Sequence, residues 1–141
     1  MNSDWFDHLR KEYVQGFPEY CGFEVTRVEH GIFETRLQLR PAHLQQDGFV
    51  HAGVIATMAD HTAGYSAYTL VSDEHRILTI EFKINYLRPA VGEEIICRST
   101  VINSGRTIII SESEIYSRDK GEEKLVSKAI VTLISVPNSD L

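Results

Sequence analysis

The chain has little of several things, and each shortage narrows what it can be. Only two cysteines occur, Cys21 and Cys97, in different segments and in no CxxC or Cys/His spacing. That pattern excludes a disulfide framework or a zinc site and predicts two structural thiols. No stretch approaches the ~18 uninterrupted apolar residues of a membrane-spanning helix, so no membrane partner is expected. The opening MNSDWFDHLRKEY carries acidic residues and lacks the basic start and continuous apolar run of a secretory signal, which predicts a cytoplasmic protein. Basic residues number 14 against 20 acidic ones, for a net charge of −6, and they are scattered. A nucleic-acid backbone needs a clustered basic face, so it is not an expected partner. Repeats, low-complexity tracts and Pro/Ser-rich linkers are all missing, which predicts one domain over 1–141.

What is present reads as a helix, two strands, a second helix and four strands. Trp5, Leu9 and Tyr13 stand at i, i+4 and i+8 with Phe6 beside them, predicting a short amphipathic helix over 3–15 behind a Ser3 or Asp4 N-cap. Residues 23–40 read as a hairpin turning at His30-Gly31, with Phe33, Thr35, Leu37 and Leu39 alternating and Pro41 ending it. The segment AGVIATMADHTAGYSAYTLV over 52–71 lacks proline and is apolar almost all round, the description of a helix buried on most sides. Four β-patterned runs follow; in the first, Leu78, Ile80, Phe82, Ile84 and Tyr86 alternate. Turn signals at Pro89–Gly92, Asn103-Ser104-Gly105 and Asp119-Lys120-Gly121 are short, so consecutive strands are expected to pair antiparallel as a meander. The fold class predicted is α+β, a curved antiparallel sheet wrapped around one long central helix.

Chemistry concentrates at that helix. Thr57, Asp60, His61 and Gly64 occupy i, i+3, i+4 and i+7 and form one narrow polar stripe. A carboxylate buried there costs several kcal/mol unless it is hydrogen-bonded or kept for function. His61 points about 100° away from Asp60 round the helix, so it is read as packing or as a contact between subunits. Before the helix, Gln45-Gln46-Asp47-Gly48-Phe49-Val50-His51-Ala52-Gly53 offers free backbone amides at a helix N-terminus, which suit a carbonyl oxygen or an oxyanion. The plainer alternative is that Gly48 and Gly53 serve a tight turn and His51 caps the helix.

Together these pieces resemble the hotdog-fold acyl-CoA thioesterases, notably the phenylacetate-pathway type. HAGVIATMAD is similar to their His-Gly-Gly helix entry with its following Ala-Asp, TIEFKINYLRPAVGEE to their long strand ending in Leu-Arg-Pro, and Gly105-Arg106 to the opening of their next long strand. The resemblance implies that Asp60, nine residues after His51, is the carboxylate that attacks the thioester or activates water. It implies that Gln45, with Gln46 as neighbour, contacts the carbonyl or orients the water, and that the amide after His51 serves as oxyanion donor. That residue is Ala52 where the family has glycine, and any residue but proline supplies the amide. Gly53 falls in the substrate-binding stretch. Thr79 aligns with a Ser or Thr that holds the nucleophilic water in some relatives, or is an ordinary strand threonine. Arg88 and Arg106 are candidates for the CoA phosphates, which a guanidinium matches bidentately, with Lys83 an alternative. No metal or cofactor is implied, and a homodimer or homotetramer with sites between subunits is. The rival readings are a non-catalytic acyl-CoA-binding module and a hotdog hydratase or dehydratase.

Overall fold

The computed structural model describes residues 2–141. Helix α1 spans Asn2–Tyr13, so Ser3 and Asp4 lie inside its first turn and not at its cap; Asp4 there still suits the positive end of the helix. Leu9 and Tyr13 are fully buried, with Trp5 and Phe6 packed partly against the core. A second, unforeseen helix, α2, runs over Phe17–Cys21 between Gly16 and a left-handed Gly22. The expected hairpin forms as β1 (Glu24–Glu29) and β2 (Ile32–Gln38). The central helix α3 spans Ala52–Tyr68, shorter by three residues than the apolar run. Strands β3 (His75–Tyr86), β4 (Glu94–Ser104), β5 (Ile108–Asp119) and β6 (Glu122–Pro137) complete a six-stranded antiparallel sheet that curves around α3. None of the described helices is long and apolar enough to cross a membrane.

The strand order is β1-β2-β4-β5-β6-β3, which corrects the expected meander at one step. β3 pairs with β6, and β4 takes β2 as its other neighbour. The connection through Pro89 and Gly92 is no hairpin turn: residues 87–93 cross the tip of the β5–β6 hairpin, with the Glu93 N–H donating to the Arg118 carbonyl at 2.9 Å. Three strand steps amount to about 14 Å, well inside the roughly 23 Å that seven residues can span.

This crossing depends on Gly92. Its φ is +128°, and a Cβ there would sit 2.6 Å from the Arg118 carbonyl oxygen. Gly92→Ala is therefore expected to destabilise the fold by roughly 2 kcal/mol or more. Gly121 has φ +81° but open space around it, so Gly121→Ala should cost only about 1 kcal/mol. Denaturant unfolding of the two variants checks the difference; equal losses would contradict the close approach at Gly92.

Under α3 the sheet presents hydroxyls as well as hydrocarbon. The Ser113 hydroxyl donates to the Ala59 carbonyl at 2.7 Å and is bonded to the Ser99 hydroxyl at 2.6 Å; Ser66 bonds the Ala63 carbonyl and the Ser111 hydroxyl, and Thr62 joins Thr35 and Tyr13. Small side chains let the helix lie close, and each satisfied buried hydroxyl contributes on the order of 1 kcal/mol. The network fixes the rotation of α3, so that Asp60 faces away from this layer and toward β3. Cys97 lies fully buried within it, and burial raises its thiol to about 11. Cys21 is buried too, and neither cysteine is in a disulfide.

Candidate active site

The N-terminus of α3 is built by its own sequence. His51 adopts an extended conformation as N-cap, and its Nδ1 accepts the Gly53 N–H at 2.8 Å. Gly53 therefore spends its amide on the cap. Ala52 is the first helical residue, and among the described residues no acceptor meets its N–H, so that amide faces outward at the positive end of the helix. The preceding loop is held by Gln45, whose Oε1 accepts the N–H groups of Asp47 and Phe49 at 2.6 and 3.1 Å. Gly48, at φ +85°, lets the loop turn. Gln45, Phe49, His51, Ala52, Tyr86 and Arg88 line one open groove of about 540 Å³, and the Tyr86 hydroxyl donates to the Ala52 carbonyl at 3.0 Å.

Asp60 lies further along α3. It is half-buried and not fully buried as the apolar helix suggested, and its Oδ1 accepts the Thr79 hydroxyl at 2.7 Å. That contact exists because β3 carries a bulge at Ile80, between Thr79 and Glu81. The extra residue reverses the alternation of faces. Thr79 thus shares the helix-facing side with Phe82, Ile84 and Tyr86, where an unbroken period of two would have turned it away. Two cavities flank Asp60. One of about 390 Å³ opens toward Phe17, Pro18 and Phe82, and a slot of about 190 Å³ runs between α3 and β3 toward Gly64, Tyr68 and Leu133. His61 packs against Tyr13 and Tyr65 and bonds the Tyr13 carbonyl; burial holds its pKa below the usual histidine value despite that bond. It packs within the chain, one of the two roles expected of it, and it also borders both cavities beside Asp60.

The chain thus carries two half-sites. Gln45, His51, Ala52, Gly53 and Arg88 gather at the N-terminal end of α3, and Asp60 and Thr79 gather at its midpoint. Eight residues of helix separate Ala52 from Asp60, about 12 Å at 1.5 Å per residue. Arg106, exposed in the turn after β4, lies three residues before Ile109, whose β6 partner Leu133 also pairs with Thr79. It belongs to the Asp60 half-site, away from Arg88. Phe17 and Tyr86 line these cavities without having been foreseen. Proline just inside and glycine just past a short segment, as in Phe17-Pro18 and Gly22, was the available signal for α2. Among the described residues no three His, Cys, Asp or Glu side chains converge as metal ligands.

Comparisons agree with this architecture. The family pattern described as thioesterase superfamily matches residues 47–124, which include His51, Asp60 and Thr79. A crystal structure of a thioesterase family protein from Silicibacter pomeroyi superposes with a TM-score of 0.91 at 30% identity, covering 95% of this chain and 99% of that one. A medium/long-chain acyl-CoA thioesterase of Escherichia coli is 24% identical over 123 residues, 77% of this chain and 79% of that protein. A 1,4-dihydroxy-2-naphthoyl-CoA hydrolase of Listeria monocytogenes is 24% identical over 100 residues, 71% of this chain and 81% of that protein. With its curved antiparallel sheet closed around one helix, and with this family's pattern over more than half its length, the chain belongs to the thioesterase superfamily, as a thioester hydrolase of the hotdog fold.

Proposed function

We propose that the protein hydrolyses acyl-CoA thioesters at a site assembled from two copies of the chain. The observation that carries this is the 12 Å or so along α3 between the Ala52 amide and Asp60. One thioester carbonyl cannot meet both within a chain, since each must approach to about 3 Å.

The geometry supplies its own remedy. Tyr86 touches Ala52 and Thr79 touches Asp60, so the two half-sites lie at equal offsets along β3 on either side of Phe82-Lys83, and along α3 on either side of Ala56. A two-fold axis through those points lays the Ala52 half-site of one chain beside the Asp60 half-site of the other. β3 is a sheet edge, and Leu78, Ile80, Phe82 and Tyr86 along it are between 36% and 52% exposed. An apolar free edge of this length invites antiparallel pairing with its own copy.

In the assembled site the Ala52 N–H and the positive end of α3 polarise the thioester carbonyl and stabilise the oxyanion. Asp60 of the other chain, steadied by Thr79, attacks the carbonyl carbon or takes a proton from a water that attacks it. The carbon–sulfur bond breaks and CoA leaves as the thiol with a proton from the water; where Asp60 itself attacks, that water hydrolyses the mixed anhydride so formed, and by either route the free acid departs and the Asp60 carboxylate is restored. Arg88, beside Ala52 at the groove rim, is placed to pair with a CoA phosphate. The two named relatives act on quite different acyl-CoA molecules, which supports the CoA thioester as the common element.

Chelator-treated protein should therefore release free thiol from at least one acyl-CoA, without nucleotide or added metal, in a panel running from acetyl to aryl and long-chain groups. Release that requires added metal, or none across the panel, would contradict the reading. The second outcome would favour a non-catalytic acyl-CoA-binding module.

A further inference from the structure

We infer that Gly64 floors the acyl pocket and limits the size of the acyl group, a specificity role that rests on the shared-site reading above. Gly64 lies one helical turn beyond Asp60 on the polar stripe, lining the slot of about 190 Å³ between α3 and β3. A glycine inside a helix costs roughly 0.5–1 kcal/mol relative to alanine, so its presence asks for a reason. Backbone conformation gives none, because Gly64 is not among the positive-φ glycines. Packing within the chain gives none either: the nearest atom a Cβ would meet is Leu133 Cδ2 at 4.0 Å, an ordinary contact. The missing methyl leaves open volume beside the carboxylate.

The direction of substrate entry says what fills it. The two-fold axis passes Ala56 and Phe82, so the larger cavity lined by Ala56, Thr57 and Phe82 lies at the junction of the two chains and is covered by the partner. CoA approaches along the groove of the partner chain, and the carbonyl rests between that chain's Ala52 and this chain's Asp60. The acyl group then continues past Asp60, away from the axis. There the slot leads on, walled by Tyr65, Tyr68, Ile77 and Leu133, all at most 7% exposed, with His61 beside them, and floored by Gly64. An engineered apolar cavity of about 150 Å³ holds one benzene molecule. The slot accordingly takes a compact acyl group of about six carbons, and not a long chain.

The test is a kcat/KM profile over straight-chain acyl-CoAs from two to twelve carbons for the wild-type protein and Gly64→Ala and Gly64→Val, with sedimentation velocity on each. For wild type the account expects kcat/KM to rise about fourfold per added methylene, the equivalent of ~0.8 kcal/mol each, and to stop rising near six carbons. In Gly64→Ala the break should move down by one or two carbons, and the ratio of hexanoyl to propionyl kcat/KM should fall by about four- to sixteenfold. Gly64→Val should move it further, with the thermal midpoint of Gly64→Ala equal to wild type or higher. An unchanged profile in active variants overturns the role of Gly64 and leaves the shared site standing. A changed oligomeric state would mean that the glycine serves contact between chains, which also overturns it. Failure of the wild-type protein to hydrolyse any member of the series, with activity absent from aryl thioesters too, would overturn the underlying reading along with it.

Discussion

Replacing Asp60 with asparagine is expected to lower kcat by about a hundredfold or more, because a lost nucleophile or general base usually costs at least that. The substitution is nearly isosteric, and the amide oxygen can still accept the Thr79 hydroxyl, so the lesion is confined to the charge. Stability should change little. Asp60 is half-buried and its one side-chain hydrogen bond is kept by asparagine in uncharged form, a change of about 1 kcal/mol, or about 3 °C in a chain of this size. Steady-state kinetics with a thermal melt on the same preparation makes the comparison. Turnover within a few fold of wild type would return Asp60 to the plainer status of a hydrogen-bonded helix residue. A large loss of both activity and stability would show that the carboxylate holds the helix in place, and the catalytic assignment would lose its support.

Much of the fold was legible because its periodicities are strong. The Leu9 and Tyr13 stripe, the alternation of Phe33, Thr35 and Leu37, and the apolar run of α3 each correspond to a buried face. Sequence was less informative where one residue changes a count. The bulge at Ile80 inverts the faces of β3, and nothing in TIEFKINYLR marks it, since every second residue stays apolar. The β3–β4 step was misread for a related reason: Pro89 and Gly92 signal a turn, but a turn signal does not say whether the chain reverses beside itself or crosses a hairpin tip. That choice was settled by β2, which takes the place next to β4.

The candidate site was legible as a set of residue types and not as a geometry. Asp60, His51 and Gln45 could be picked out by spacing and family resemblance, yet the roles of their atoms came from local bonding. His51 Nδ1 and Gln45 Oε1 are already engaged by the Gly53, Asp47 and Phe49 amides. Those bonds shape the loop that presents the Ala52 amide. The 12 Å between half-sites is a property of helix rise that the sequence contained from the start, and it becomes telling only once Tyr86 and Thr79 show where each half is anchored on β3.

The shared site can be tested with two lesions, one in each half. Ala52→Pro deletes the proposed oxyanion amide at the first helical position, where proline is tolerated and His51 already has the extended conformation that precedes it. Loss of one such donor costs about a hundredfold or more in kcat. Asp60→Asn removes the carboxylate. Each homodimer should be nearly inactive. Refolded together in equal amounts, half the dimers are hybrids, and each hybrid carries one intact site and one doubly damaged site. Activity should return to about a quarter of wild type, far above either parent. If hybrids form, as native mass spectrometry can establish, and activity stays at the level of the parents, then the Ala52 amide and Asp60 do not act on one thioester across two chains, and the central claim is wrong.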